Sequence, residues 1–281
     1  MRIVLLFVAS VAAAQPPYPP PGKLVDVGGY RVHLNCTGAG SPTVMIVGGG
    51  FSFDWDLVQS QVAKFNRVCT YDVSGTAWSD AGPSLTCSGR VKEIHAALKN
   101  ASVEGPYVLV GLSMGAVVAR RYAREYPDET AGMVMVDHAF LNPVDKKVSV
   151  DPTPGPVSGQ VQPPVLIHQE PIVLTVEDTS NFGNLPTRDR ELHRWAMSLG
   201  PTLPTPEMAE ACLAEVPATL GKMPLAVVST GNSLPNYLKL QNELLGLSSN
   251  STQFIADQSF HSVEIDQPEV VVRAIQKVSA R

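Results

Sequence analysis

The sequence predicts an α/β fold: a mostly parallel central sheet, helices on both faces, and one insertion standing over the sheet. Three observations carry this expectation. Short runs rich in Val, Ile and Thr recur at residues 30–35, 43–47, 67–73, 107–111, 132–136, 225–230 and 252–256, each bounded by turn residues. Helical patterns lie between many of them. The alternation then breaks between about residues 140 and 223, where prolines crowd.

Taken in order, the chain opens with Met1 and Arg2, an apolar stretch over 3–11, and Ala12-Ala13-Ala14-Gln15. That is the layout of a secretory signal over residues 1–14, with small residues at the cleavage positions. A membrane span needs about 20 apolar residues and this run is roughly half that, so no stable span is expected after signal removal. The expected location is secreted or periplasmic. Residues 15–24 begin QPPYPPPG, a proline-rich leader that reads as a tether because its stiff backbone lacks donors for a sheet interior. Residues 25–139 and 223–281 form the core, and 140–222 the insertion, a cap or lid.

Val91, Ile94, His95 and Leu98 fall at i, i+3, i+4 and i+7, and Val271, Ile275 and Val278 follow a helix-starting Pro268. Within the insertion only 188–198 and 207–216 look helical. Trp195, Met197 and Leu199 there either line a pocket or pack the cap.

With 281 residues, 44% of them hydrophobic, the chain can bury a core without staples. Its formal charge of −5, with no block of Lys and Arg, argues against a nucleic-acid partner. The four cysteines, Cys36, Cys69, Cys87 and Cys212, can pair in an exported chain, and four allow three connectivities. No CxxC or Cys/His cluster suggests a metal, so neither metal nor organic cofactor is expected. Oligomeric state is not legible.

The strongest chemical signal is Gly111-Leu112-Ser113-Met114-Gly115, between an apolar run and a helical pattern over 116–126. Strand, sharp turn and helix make a nucleophile elbow, with Ser113 Oγ exposed at a helix N-terminus. A serine hydroxyl needs a base, and His261 stands between the last strand run and the final helix. His33, His95, His168 and His193 read as structural, while His138, just after a strand, can approach the site.

A third group must hold the imidazole tautomer. The position after the strand at 225–230 carries Gly231-Asn232-Ser233-Leu234 and no acid. One strand earlier, Met133-Val134-Met135-Val136 ends in Asp137, which is the expected acid; Glu243 is a weaker substitute, and Asp257 lies too near His261 to do more than shape its loop. For the oxyanion, the backbone N–H of Met114 needs a second donor. Gly48-Gly49-Gly50-Phe51, after the strand at 43–47, supplies it, with Gly49 favoured and Gly50 and Phe51 as alternatives.

In this order, these residues resemble the α/β-hydrolase superfamily over about residues 25–278. The match is carried by 48–55, by Tyr71-Asp72-Val73-Ser74-Gly75-Thr76-Ala77-Trp78-Ser79-Asp80, by 105–115, 132–137 and 259–268. They look most like small bacterial hydrolases, many exported, with a "YDRxGxGxSD" turn and a "GPYVLVGHSxGG" elbow. The chain departs from that pattern at Val73 for Arg, Leu112 for His and Ala116 for Gly. The strand order the resemblance implies would set Cys36 beside Cys69, leaving Cys87 with Cys212 and so tying core to insertion; buried free thiols are the alternative.

The resemblance implies a serine hydrolase of the esterase and lipase kind acting on a small-molecule ester through Ser113, His261 and Asp137. Epoxide hydrolases and haloalkane dehalogenases of the same fold use an aspartate nucleophile, against which Ser113 argues. Amidase, lactonase, thioesterase, C–C hydrolase and acyltransferase chemistry stay open on the same triad. A non-catalytic binding module on the same scaffold is the alternative of another class.

Overall fold

The computed structural model describes residues 15–83, 86–138, 182–200, 211–214, 216, 219–231 and 235–280. The expected signal and most of the insertion, with His168, lie outside the described residues.

The strands are β1 (Lys23–Asp26), β2 (Arg31–Thr37), β3 (Thr43–Ile46), β4 (Val68–Tyr71), β5 (Tyr107–Leu112), β6 (Thr130–Val136), β7 (Leu225–Thr230) and β8 (Ser251–Ala256). They form one sheet in the order β1-β2-β4-β3-β5-β6-β7-β8, with β1 and β2 antiparallel to their neighbours and β3 to β8 mutually parallel. β3, β4, β5 and β7 are buried at every position, which requires cover on both faces.

Successive residues serve opposite covers, as the two-residue period of a strand dictates. Met45, Leu109, Met133 and Val227 pack with Val91, Ile94 and Leu98 of α2 (Cys87–Asn100) and Val117 and Tyr122 of α3 (Met114–Glu125). Val44, Val108, Val134 and Val228 pack with Val58 and Val62 of α1 (Asp56–Val62) and Val271, Ile275 and Val278 of α7 (Pro268–Ser279). Thr86 caps α2 by accepting the Gly89 N–H at 3.1 Å, and Pro268 opens α7, where a missing N–H is harmless. The remaining named helices are α4 (Thr187–Ser198) from the insertion, α5 (Pro235–Glu243) and the short α6 (Val263–Asp266).

The leader departs from expectation. β1 begins inside it, and the residues before β1 are seated rather than hanging as a tether. Tyr18 donates to Glu191 Oε2 on α4 at 2.6 Å, Trp78 Nε1 donates to the Tyr18 carbonyl at 3.3 Å, and the His33 ring bonds the Pro21 carbonyl. Prolines remove N–H donors but leave every carbonyl, and those acceptors meet donors from β2 and the loop after β4. Nothing local in the sequence shows that meeting.

Cys36 and Cys69 stand opposite each other in the β2–β4 register and are disulfide-bonded, with Cα atoms 4.0 Å apart. Cys87, at the start of α2, is bonded to Cys212 of the insertion across a sequence separation of 125, with a Cα separation of 5.2 Å. Closing so long a loop restricts the unfolded chain, so Cys87→Ser/Cys212→Ser is expected to lower stability by about 2–4 kcal/mol. Thermal melts with non-reducing peptide mapping check this. An unchanged melting temperature would mean that the bridge does not stabilise the fold.

Candidate active site

Ser113 joins β5 to α3 with φ 53° and ψ −119°, a conformation that costs a non-glycine residue about 1–3 kcal/mol and persists only when its surroundings enforce it. A Cβ on Gly111 would lie 2.2 Å from the Gly115 carbonyl carbon, and a Cβ on Gly115 would lie 2.5 Å from the Gly48 oxygen. Strand, helix and the loop after β3 therefore meet backbone to backbone. Ser113 also donates its N–H to the Val136 carbonyl at 3.0 Å, which locks the elbow to β6.

Asp137 follows β6 directly, at φ 39°, and its N–H donates to the Val228 carbonyl of β7 at 2.9 Å. Ser113 and Asp137 thus sit at the carboxyl edge of neighbouring strands. The Asp137 side chain is 5% exposed, and its Oδ2 accepts from His261 Nδ1 at 2.6 Å. Its Oδ1 accepts from Thr230 Oγ1 at 3.1 Å and Gln241 Nε2 at 2.5 Å. Hydrogen bonds to a charged group are worth about 1.5–3 kcal/mol each, so this carboxylate is rigidly aimed.

Sequence reasoning passed over Thr230 and Gln241. Thr230 ends β7, where an acid had been sought, and Gln241 shares α5 with Glu243. Polar residues are common at such places and neither carries a pattern of its own. Asp257 accepts from Gln267 Nε2 at 3.3 Å, a loop contact as expected. The ring of His261 is half exposed, and Asp266 Oδ2 anchors its loop by accepting from the Phe260 N–H at 3.1 Å and Ser259 Oγ at 3.2 Å.

In the glycine loop, Gly48, Gly49 and Gly50 have φ of 143°, 93° and 95°, which favour glycine at each place. The Gly48 carbonyl accepts from the Leu112 N–H at 3.3 Å, so the Gly49 N–H, across the same planar peptide, points the other way. The Gly49 carbonyl accepts from Trp55 Nε1 at 2.8 Å. Phe51 is eliminated as a donor to substrate, because its N–H donates to Asp54 Oδ2 at 2.8 Å. Of the three expected donors this leaves the N–H groups of Gly49 and Gly50; Met114 is the first residue of α3.

Behind the loop, Asp72 accepts from the Ser52 N–H at 2.8 Å, from Ser52 Oγ at 3.1 Å and from His33 Nδ1 at 2.8 Å. These three residues are a serine, a histidine and an acid, yet all are buried, so they brace the loop and meet no substrate. Asp80, at the far end of the same turn, pairs with Arg31 at 2.8 Å. The departures from the family pattern are accommodated. Leu112 packs in the apolar cluster with Ile46, Trp55, Val136 and Val263, Ala116 is fully buried, and Val73 packs against the other core cluster.

From the insertion, α4 sets Leu192 and Ala196 against Phe51, Phe53, Ala77 and Trp78, and Trp195 lies 5.9 Å from Trp78. Met197 and Leu199 are exposed. His95 stacks on Tyr126 at 3.9 Å, a structural place; His138 is buried beside Asp137. Among the described residues, no group of three His, Cys, Asp or Glu side chains is placed to hold a metal ion, and no helix is long and apolar enough to cross a membrane.

The model of the alpha/beta hydrolase fold matches residues 42–173. An esterase from Thermogutta terrifontis superposes with a TM-score of 0.63 at 22% identity, covering 95% of this chain and 100% of that one. This chain has the α/β-hydrolase fold. An epoxide hydrolase of Bacillus megaterium shares it with a TM-score of 0.65 at 13% identity, over 91% of this chain and 99% of that one. The uncharacterised protein YqjL of Bacillus subtilis is 24% identical over 91% of both chains. An uncharacterised Schizosaccharomyces pombe protein is 26% identical over 84% of this chain, which spans about half (51%) of that relative. A 2-hydroxymuconate semialdehyde hydrolase of Pseudomonas sp. is 29% identical over 43% of this chain and 44% of its own.

Glu264 of α6 is a further buried carboxyl near this site. Burial first, then the charges of Asp54, Asp266 and Asp137, push its pKa well above the ordinary value of 4.5. The folded state keeps the proton longer than the unfolded chain does. The associated stability is complete below about pH 4.5 and is lost as pH climbs from there through the raised folded value. Glu264→Gln is therefore expected to melt higher than wild type by a margin that grows from pH 5 to pH 8. Parallel melts across that range check it, and a constant margin would contradict the assignment.

Proposed function

We propose that the chain is a serine hydrolase that cleaves carboxylic esters, and that its triad is Ser113, His261 and Asp137. The observation that carries this is the 2.6 Å bond from His261 Nδ1 to Asp137 Oδ2, one strand over from a serine held in the left-handed region. An acid on Nδ1 leaves Nε2 as the basic nitrogen, the tautomer a serine base requires. Ser113 Oγ attacks the ester carbonyl while His261 takes its proton, and the N–H groups of Gly49 and Met114 receive the oxyanion. His261 returns the proton to the leaving alcohol. It then activates a water that attacks the acyl-enzyme and frees Ser113.

Ser113 at the elbow supports serine chemistry over the aspartate route of epoxide hydrolases. The partial match to a 2-hydroxymuconate semialdehyde hydrolase supports a semialdehyde of that kind as a second substrate class on the same residues. The signal-like residues 1–14 support export, and a signal-cleaved form found outside the cytoplasm would bear that out.

Wild type is expected to turn over p-nitrophenyl esters, tested from acetate to palmitate, and to be labelled by a fluorophosphonate. Ser113→Ala should do neither, and Asp137→Asn and His261→Ala should lose about 10³-fold or more in kcat. A folded wild type that neither labels nor turns over would make the binding module the better account. Gln241→Leu, which strips one donor from Asp137, is expected to lower kcat about tenfold through misaimed His261, measured on the same esters.

A further inference from the structure

Asp54 makes two bonds with its two oxygens. Oδ2 accepts the Phe51 N–H at 2.8 Å, and Oδ1 accepts from His193 Nδ1 at 2.9 Å, across 139 residues of sequence. A carboxylate only accepts, so both partners donate. Asp54 is buried, and its own N–H returns to the Phe51 carbonyl at 3.1 Å, which closes a small ring at the end of the glycine loop. The His193 ring is clamped by Phe182, with centroids 4.0 Å apart, and by the edge of Phe51 at 5.5 Å.

His193 belongs to α4 of the insertion, whereas Asp54, Phe51 and Gly49 belong to the core. Among the described residues, the other side chains bonded to this loop's backbone, Trp55 on the Gly49 carbonyl and Asp72 on the Ser52 N–H, come from the core as well. Among the described residues the His193–Asp54 bond is thus the polar link from the insertion to the loop, beside the apolar packing of Leu192 and Ala196 on Phe51.

We propose that His193 is a positioning residue for the hydrolytic reaction. By holding Asp54 it fixes the loop peptides and so aims the Gly49 N–H, which makes docking of α4 and assembly of the oxyanion site a single event. The proposal rests on the hydrolase assignment above. Without His193, Asp54 Oδ1 is buried with a bond missing, and the carboxylate relieves this by turning away from Phe51. A donor displaced by up to about 1 Å lowers turnover by up to about 10²-fold.

The test compares wild type, His193→Phe and His193→Asn by ester kinetics and by amide hydrogen exchange of peptides covering residues 48–51, with melting temperatures recorded. Asparagine can place an N–H where Nδ1–H stands; phenylalanine fills the space without one. His193→Phe is expected to exchange faster over 48–51 and to lose 10- to 100-fold in kcat with KM within about threefold. His193→Asn should recover both to within about threefold. The proposal is overturned if His193→Phe leaves exchange over 48–51 unchanged, if its loss lies in KM alone, or if asparagine restores neither readout. A wild type without turnover or labelling would remove the hydrolase assignment, and with it the catalytic role of His193. Faster loop exchange in His193→Phe would then still establish the mechanical link.

Discussion

Three stretches of backbone meet at the elbow with no side chain between them, and the rest of the site depends on that contact. Gly111 lies against the first turn of α3, and Gly115 in that turn lies against Gly48. Because the approach is so close, Ser113 has no room to relax out of its left-handed conformation. The glycine loop, in turn, cannot be moved without moving the serine's own helix. Ser113 and the glycine loop are therefore placed by one packing event, and the strain at Ser113 is offset by the many contacts of two buried strands and a helix.

Around this contact the side chains divide their work by depth. Asp72, His33 and Ser52 are buried beneath the glycine loop and brace it from below. Asp137, with both oxygens bonded, aims an imidazole that is itself half exposed. Phe51, Phe53 and Trp78 form an apolar seat on which α4 rests, and the leader is pinned to the same seat through Trp78 and to α4 through Tyr18 and Glu191. Leader and insertion thus share one docking surface beside the loop, although they are remote in sequence.

The core elements were legible because their signals are local. A strand buried on both faces must be apolar throughout, and a glycine-flanked serine between strand and helix has few other uses. Asp137 was legible by elimination, since the position after β7 lacks an acid and β6 ends in one. β1 was missed because its few residues follow prolines and carry no alternation. Gln241, Thr230 and the bond from His193 to Asp54 were missed for a different reason: each is a polar residue whose meaning lies wholly in a partner far along the chain.

The sequence by itself determined strands β2 to β8 and the helical patterns between many of them, the elbow at Ser113, the histidine that follows the last strand, and the absence of an acid after β7. These follow from side-chain volume, backbone freedom and periodicity, which are properties of neighbours in the chain. Tertiary structure alone decided that both Asp137 oxygens are bonded, that the Phe51 N–H is taken by Asp54, that the leader is seated, and that an insertion histidine reaches Asp54 at the end of the glycine loop. Hydrogen bonds are short and directional, so which donor meets which acceptor is set only when the packed sheet brings distant segments within about 3 Å of one another.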